Sequence, residues 1–554
     1  MPPPKQIRFY GSQVGSSSTI PHPYTGSPLA LLRQDIVSAL QLIPFLPSVI
    51  FPLTPFRSGR LCELYPSPAN LHDMFLHGIL IGMQVPFVLS VPFWILLPVW
   101  WVGLGVVVFI ALNESICYLL NGKELELKSN PDYAEQRGHE HEQWIFLNGV
   151  AVGRNWLQNT VDRLALTFGR PVLGVHNKTN GIVFDVLQCL IQRNFTYATQ
   201  DVRDCYRIVK STLYQPHLTK VVFILHSQGG IEGGLIIDWL LQELPQDLLA
   251  KLEVYTFGNA ANHFNNPHLH LLSQHAARRH PSVPATTRTT TSVHYHGPMA
   301  DPPAQHNESG STVIPPTTHS KISRQESTSG KTIRYIEHYA HTTDFVARWG
   351  VLYFTTSLSL APTAPRFMGR VFERAGQGHQ MVQHYLDSMF PLKRAPPPAP
   401  APLPRARVSR LAFWRAEPPL GGIGNSGFLG CDDDDAAGNE FMGAALERGA
   451  SDDEREGLET SYLGTHGAPL DDAEKEVLVR DMSPISPGTR ERFGLGLTSA
   501  AKETGASASG RGEDGGEARM SFRVKDLSRL WLYRNGRSPK SDETDAAILR
   551  MATI

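Results

Sequence analysis

The chain of 554 residues is poor in charge, with Asp, Glu, Lys and Arg together at 19%, below the usual quarter of a soluble protein. The two signs nearly cancel, 51 basic against 52 acidic residues, so the basic excess of a nucleic-acid binder is missing. Cysteine is scarce as well. Cys62, Cys117, Cys189, Cys205 and Cys431 are scattered, odd in number and form no Cys-x-x-Cys pair. That argues against a disulfide framework and a cysteine-based zinc site, and fits a reducing compartment. The first residues lack the apolar core of a secretory signal, so a cleaved signal is not expected. No glycine-rich phosphate loop lies beside a suitable strand and no His-Glu-x-x-His occurs, so no nucleotide or metal cofactor is implied. The histidines His263, His268, His270, His275 and His280 lie close together, but no acid accompanies them at ligand spacing. They read as a solvated loop rather than a zinc site.

What the chain has is one long apolar run. From Met74 to Asn113 no Asp, Glu, Lys or Arg occurs, a stretch of 40 residues. A membrane-spanning helix needs about 20, so the run fits two crossings or a hairpin. The alternatives are one span preceded by an interfacial helix, and a helix pair inside a soluble core. Pro86, Pro92 and Pro98 lie near the middle, where a hairpin turns, and Trp94, Trp100 and Trp101 suit a membrane interface. Arg57 and Arg60 precede the run and Lys123 and Lys128 follow it, which is compatible with both ends in the cytosol. Glycosylation sequons such as those at Asn177, Asn194 and Asn307 would matter only on a lumenal side.

The chain divides by composition into four parts. Residues 1–73 are proline-rich, with an amphipathic segment at 27–46 that reads as lying on a membrane or packing on a later domain. Residues 74–113 are the membrane hairpin or transmembrane helices. Residues 140–392 alternate short apolar runs with amphipathic ones. Strands are expected at 143–149, 171–177, 219–227, 251–260, 331–340 and 366–376, with helices between them, the first closed by Gly169. Alternation of this kind predicts an α/β fold: a mostly parallel sheet with helices on both faces. Residues 273–330, rich in Ser, Thr, Pro and His without apolar period, read as a disordered insertion. Residues 393–554 read as a mostly disordered proline-rich and acidic tail, suited to protein partners, with one apolar patch at 527–536.

The chemistry concentrates at 221–230, Val-Val-Phe-Ile-Leu-His-Ser-Gln-Gly-Gly. An apolar strand runs into Ser227, and a small-residue turn leads into a helix. A serine there has its hydroxyl pushed outward, and the helix N-terminus favours an oxyanion. The plain alternative is a serine that caps the helix. The segment resembles the nucleophile elbow of the α/β-hydrolases, in the His-Ser-Gln-Gly-Gly form of lipases and esterases, and the resemblance spans 143–392 without the insertion. It departs from the family at Leu225, where a small residue is usual and a bulky one crowds the turn.

The resemblance implies the chain order Ser, acid, His. Asp344, in the loop after the strand at 331–340, is the expected acid, and the following Phe345 and Val346 make the segment similar to the Asp-x-Val element of lipases. Glu337, inside the strand, is the weaker alternative. The base is expected after the last strand, where His379 follows Gly-Gln-Gly and precedes a helix and is favoured, with His384, five residues on inside that helix, as the alternative. The oxyanion hole would take the N–H groups of Gln228 and of Val150, the latter in the loop after the strand at 143–149. The implied function is a membrane-anchored serine hydrolase acting on a lipid or other acyl ester, in a membrane of the endoplasmic-reticulum or lipid-droplet type with the catalytic domain cytosolic. An acyltransferase or thioesterase on the same triad, and an inactive hydrolase-fold scaffold, are the other readings.

Overall fold

The structure, a computed structural model, describes residues 7–10, 27–134, 138–266, 333, 335–356, 367–394, 428–431, 441–444, 446–448 and 524–539. The expected insertion at 273–330, the acidic runs of the tail, Asn307 and four of the five clustered histidines lie outside these residues.

Six parallel strands form the centre of the sheet: β3 (Glu142–Leu147), β4 (Val172–Val175), β5 (Lys220–His226), β6 (Leu252–Phe257), β7 (Tyr335–His341) and β8 (Arg370–Arg374). In space they run β8-β7-β6-β5-β3-β4, with every neighbour parallel. These are the six strands expected from sequence, each shorter than its apolar run. Along β3, Trp144 and Phe146 enter the core on one face and Ile145 and Leu147 the core on the other. A strand buried on both sides shows no polar alternation, which explains its continuous apolar sequence.

The sheet is wider than the segment 140–392. Antiparallel β1 (Ile7–Tyr10) and β2 (Glu126–Lys128) flank it at β8 and β4. Leu446–Arg448 pairs in parallel outside β1. A segment of the tail, 524–539, packs on the first face, burying Leu530, Trp531 and Tyr533. The apolar patch at 527–536 is therefore part of the folded body.

Helix α4 (Arg154–Phe168) covers the first face and closes on Gly169 in the left-handed conformation. Helices α5 (Ile182–Phe195), α6 (Gln200–Leu213) and α7 (Gln228–Glu243) lie on the second. Before the sheet come α1 (Pro28–Gln41), a 3₁₀ turn Ile43–Val49, α2 (Pro68–Ser90) and α3 (Val99–Asn121). Ser67 caps α2, accepting a bond from the Asn70 N–H, and Pro68 stands at the first helical position.

The uncharged run folds as two helices long and apolar enough to cross a membrane, Pro68–Leu96 and Val99–Asn121. They pair antiparallel, with Phe87 stacked on Phe109 at 3.7 Å and Gln84 donating to Asn113 at 2.8 Å. Both free ends return to the α/β body. Asn155 of α4 donates to Asn70 and Asp73, and Asn121 donates to the Thr179 carbonyl. Polar residues of the pair turn toward the body, while Phe75, Leu89 and Leu104 stay exposed. Asn177 and Asn194 are buried inside the body, Asn177 held through its backbone N–H and Asn194 through its side-chain amide, so neither sequon can carry a glycan in this fold.

Candidate active site

Strand β5 ends in His226 and the chain turns sharply at Ser227 into α7. Ser227 holds φ 58° and ψ −120°, a backbone region that costs a non-glycine residue energy. It stands at the helix N-cap, yet its hydroxyl makes no capping bond, so the plain capping role is not realised. Two backbone bonds fix the turn: Ser227 N–H donates to the Phe257 carbonyl (3.1 Å), and the Ala260 N–H donates to the Ser227 carbonyl (3.1 Å).

The turn is tight because small residues let its neighbours in. A Cβ on Gly149 would stand 2.5 Å from the Ser227 Cβ, and one on Gly229 2.6 Å from the Leu147 carbonyl oxygen. The loop after β3 therefore lies directly against the serine. Leu225 does not crowd the elbow. Its side chain rests on Gly233, where a Cβ would approach Leu225 Cδ1 to 2.3 Å. The room lost at Leu225 is recovered two turns into α7.

Asp344 and His379 come together from the ends of β7 and β8. Asp344 Oδ2 lies 2.8 Å from His379 Nδ1 and also accepts from the Tyr385 hydroxyl at 2.7 Å. Asp344 Oδ1 accepts from the Val346 N–H, so this carboxylate caps its helix and holds the imidazole at once. Burial opposes its charge, but His379 and the two side-chain hydrogen bonds outweigh burial and hold the carboxyl below its ordinary 3.8. Gly258, at φ +53°, leaves room for the pair: a Cβ there would stand 2.8 Å from His379 Nδ1 and 2.9 Å from Asp344 Oδ2. His379 and Ser227 are both nearly buried and both border the Phe257–Ala260 turn, but no hydrogen bond joins them among the described residues.

The two alternatives are engaged elsewhere. His384 Nδ1 accepts from the Gln380 N–H at 2.9 Å and Nε2 faces the Pro52 carbonyl at 2.8 Å. Both nitrogens are used, and burial pulls its pKa below the ordinary value, so it is a neutral structural group. Glu337 pairs with Arg370 at 2.6 Å and accepts from Tyr339 and the Arg529 N–H. The N–H groups of Gln228 and Val150 donate to no hydrogen bond among the described residues, which leaves them available beside Ser227.

Four residues of the site were not singled out from sequence. His226 stacks on His379 at 4.7 Å and its Nε2 bonds the His379 carbonyl at 2.8 Å; burial and the neighbouring His379 pull it to about 3, so it stays neutral. Tyr385, stacked on His341, holds Asp344. Asp185 accepts from the Ala151 N–H, the Thr179 hydroxyl and the Asn180 N–H, and so fixes the loop that carries Val150. Gln192 of α5 accepts from the Gln228 side chain. Only His226 was visible, as part of the elbow motif; the others are made adjacent by the fold.

His263, the described member of the histidine cluster, bonds Asn262 and Asp238. No group of three or more His, Cys, Asp or Glu side chains that could hold a metal occurs among the described residues. Compared with known proteins, the chain matches no family model, no curated sequence and no solved structure.

Proposed function

We propose that the chain is a membrane-anchored serine hydrolase of the α/β-hydrolase type that cleaves a carboxylic ester, with a lipid ester as its substrate. The observation that carries this reading is the Asp344–His379 hydrogen bond beside a serine on a strained, uncapped strand-to-helix turn. Asp344 takes the proton-bearing Nδ1, which leaves Nε2 as the basic nitrogen. In the reaction Ser227 Oγ attacks the ester carbonyl as His379 accepts its proton. The tetrahedral oxyanion is held by the Gln228 and Val150 N–H groups, assisted by the dipole of α7. His379 then protonates the leaving alcohol, and water repeats the cycle on the acyl-enzyme.

The helix pair supports attachment to a membrane, which we take to be of the endoplasmic-reticulum or lipid-droplet type. Both its ends return to the body, and five free buried cysteines suit the cytosolic side.

A second reading rests on one observation, the absence of a Ser227–His379 hydrogen bond: a silent scaffold of the same fold. Full-length protein in detergent separates the two. A serine hydrolase cleaves p-nitrophenyl and glyceride esters, and Ser227→Ala lowers turnover by about a thousandfold or more. A folded wild-type chain that cleaves neither ester, or a Ser227→Ala variant of unchanged rate, contradicts the catalytic reading.

A further inference from the structure

Helix α5 is built inside out. Asp185, Gln192, Arg193 and Asn194 are buried, while Val186, Leu187, Ile191 and Phe195 are exposed. Helix α1 leans the same way: Asp35 and Ser38 are buried beside Leu31, while Leu29, Ile36, Val37 and Leu40 are exposed. A helix facing water turns its apolar stripe inward. The arrangement is shared by α2 and α3, where Asn70, Asp73, Gln84, Asn113 and Asn121 face the protein.

The two inverted helices are locked to each other and to the helix pair. Asp35 of α1 accepts from Arg193 at 2.6 Å and Asn194 at 2.7 Å. Phe184 of α5 meets Phe87 of α2 and Phe109 of α3 edge-on. Gln84, within the apolar run, donates to the Asn180 carbonyl just before α5. The apolar surface of the helix pair thus continues onto α5, α1 and the 3₁₀ turn, where Ile43, Leu46, Ile50 and Phe51 are exposed. Between Pro28 and Phe56 the only charged residues are Arg33 and the buried Asp35.

This surface surrounds the site. Gln192 of α5 bonds Gln228, the neighbour of Ser227. Ser48 of the 3₁₀ turn bonds the carbonyl of Thr343, the neighbour of Asp344. Gln380, the neighbour of His379, bonds the Val49 carbonyl. Helix α5 and the 3₁₀ turn are therefore each tied to residues adjacent to Ser227, Asp344 or His379, and α1 is held to them through Asp35.

We infer that α1, the 3₁₀ turn and α5 form a collar embedded in the acyl-chain layer of the bilayer beside the helix pair, and that the ester reaches Ser227 from within that layer rather than from water. The occupant of the surface is lipid, because its apolar face is continuous with that of a membrane-type helix pair and carries almost no charge. The substrate route rests on the hydrolase reading; the embedding of the collar does not.

The test uses the full chain in phosphatidylcholine vesicles. The five native cysteines are buried, so a thiol-reactive fluorophore reports a new one. Leu40→Cys and Leu187→Cys, labelled, are expected to be quenched by acyl-chain nitroxide lipid and shielded from aqueous iodide. Tyr214→Cys, at the opposite end of the sheet, is expected to behave in reverse. Iodide quenching at Leu40→Cys and Leu187→Cys, or shielding without lipid quenching as a protein partner would give, overturns the collar. For the route, Leu187→Asp with Ile191→Asp is expected to lower hydrolysis of a vesicle-borne glyceride by about tenfold or more and of a soluble short-chain ester by less than about twofold. Unchanged vesicle hydrolysis, or an equal loss on both esters, overturns it. A wild type inactive on both esters sinks the hydrolase reading instead, and the quenching result still decides the collar.

Discussion

Single residues decide whether the elbow can close. Leu225 reads from sequence as an obstruction, because the consequence of a bulky residue there depends on what faces it. The structure supplies Gly233 as its counterpart. A methyl group at 233 meets a side chain that cannot retreat from a filled core, and overpacking of this kind costs about 1–3 kcal/mol. Gly233→Ala is expected to lower thermal stability, and the double variant with Leu225→Ala to lose less than the sum of the two single losses, since the two side chains occupy one space. Thermal unfolding of the two single variants and the double variant measures this coupling. Strict additivity would show that the contact is not the source of the cost.

At the same scale, Ser227, Asp344 and His379 could be named from the sequence because each follows a strand in the required order. Position after Gly-Gln-Gly favours His379 over His384, but the bonding of the two rings is not legible there. Five residues apart, they differ in where their ring nitrogens find partners, and that depends on Asp344, Gln380 and Pro52 converging from distant parts of the chain.

At the scale of elements, the six central strands were legible because each is a continuous apolar run bounded by turn residues. The flanking strands were not. β1 and β2 have four and three residues, and nothing in so short a run announces a partner hundreds of positions away. Besides its own apolar patch at 527–536, the docked tail segment 524–539 left a trace in the strands it covers. Glu253 and Glu337 sit inside apolar strands, where a lone carboxylate is costly. Arg529 answers both: its side chain pairs with Glu253 at 2.8 Å and its N–H bonds Glu337.

Burial opposes the charge on Glu253, but Arg529, Lys220 and the hydrogen bonds prevail and lower it from 4.5 to about 2. A depressed carboxylate contributes stability that is present above its unfolded pKa and lost as pH falls through its folded one. Acid unfolding should therefore draw on Glu253 as pH drops from about 4.5 toward about 2. Arg529→Met leaves a buried charge without its closest cation. It is expected to cost about 3 kcal/mol at neutral pH and to move acid unfolding to higher pH. Circular dichroism across a pH series checks this; an unchanged acid midpoint would show that the tail segment does not carry the pairing.

At the scale of the whole molecule, the low overall charge and the mild mean hydropathy of −0.20 conceal a division of labour. A helix pair built on the uncharged run 74–113 and two inverted helices gather at the C-terminal ends of the sheet strands, where Ser227, Asp344 and His379 also lie. Inversion was not legible from sequence, since periodicity shows that a helix has two faces but not which one meets the protein. The polar sides of α1 and α5 face inward because Asp35 meets Arg193 and Asn194 there, and Gln192 meets Glu232 and Gln228.

The claim on which the rest depends is that Ser227 is a nucleophile activated by His379. The most direct measurement is covalent labelling of the full-length protein in detergent with a fluorophosphonate, followed by peptide mapping. The expected result is one adduct, on Ser227, formed at an undiminished rate in His384→Gln when that variant is folded, and slowed by about a hundredfold or more in His379→Gln. A folded wild type that forms no adduct, or one that labels equally fast without His379, would contradict it.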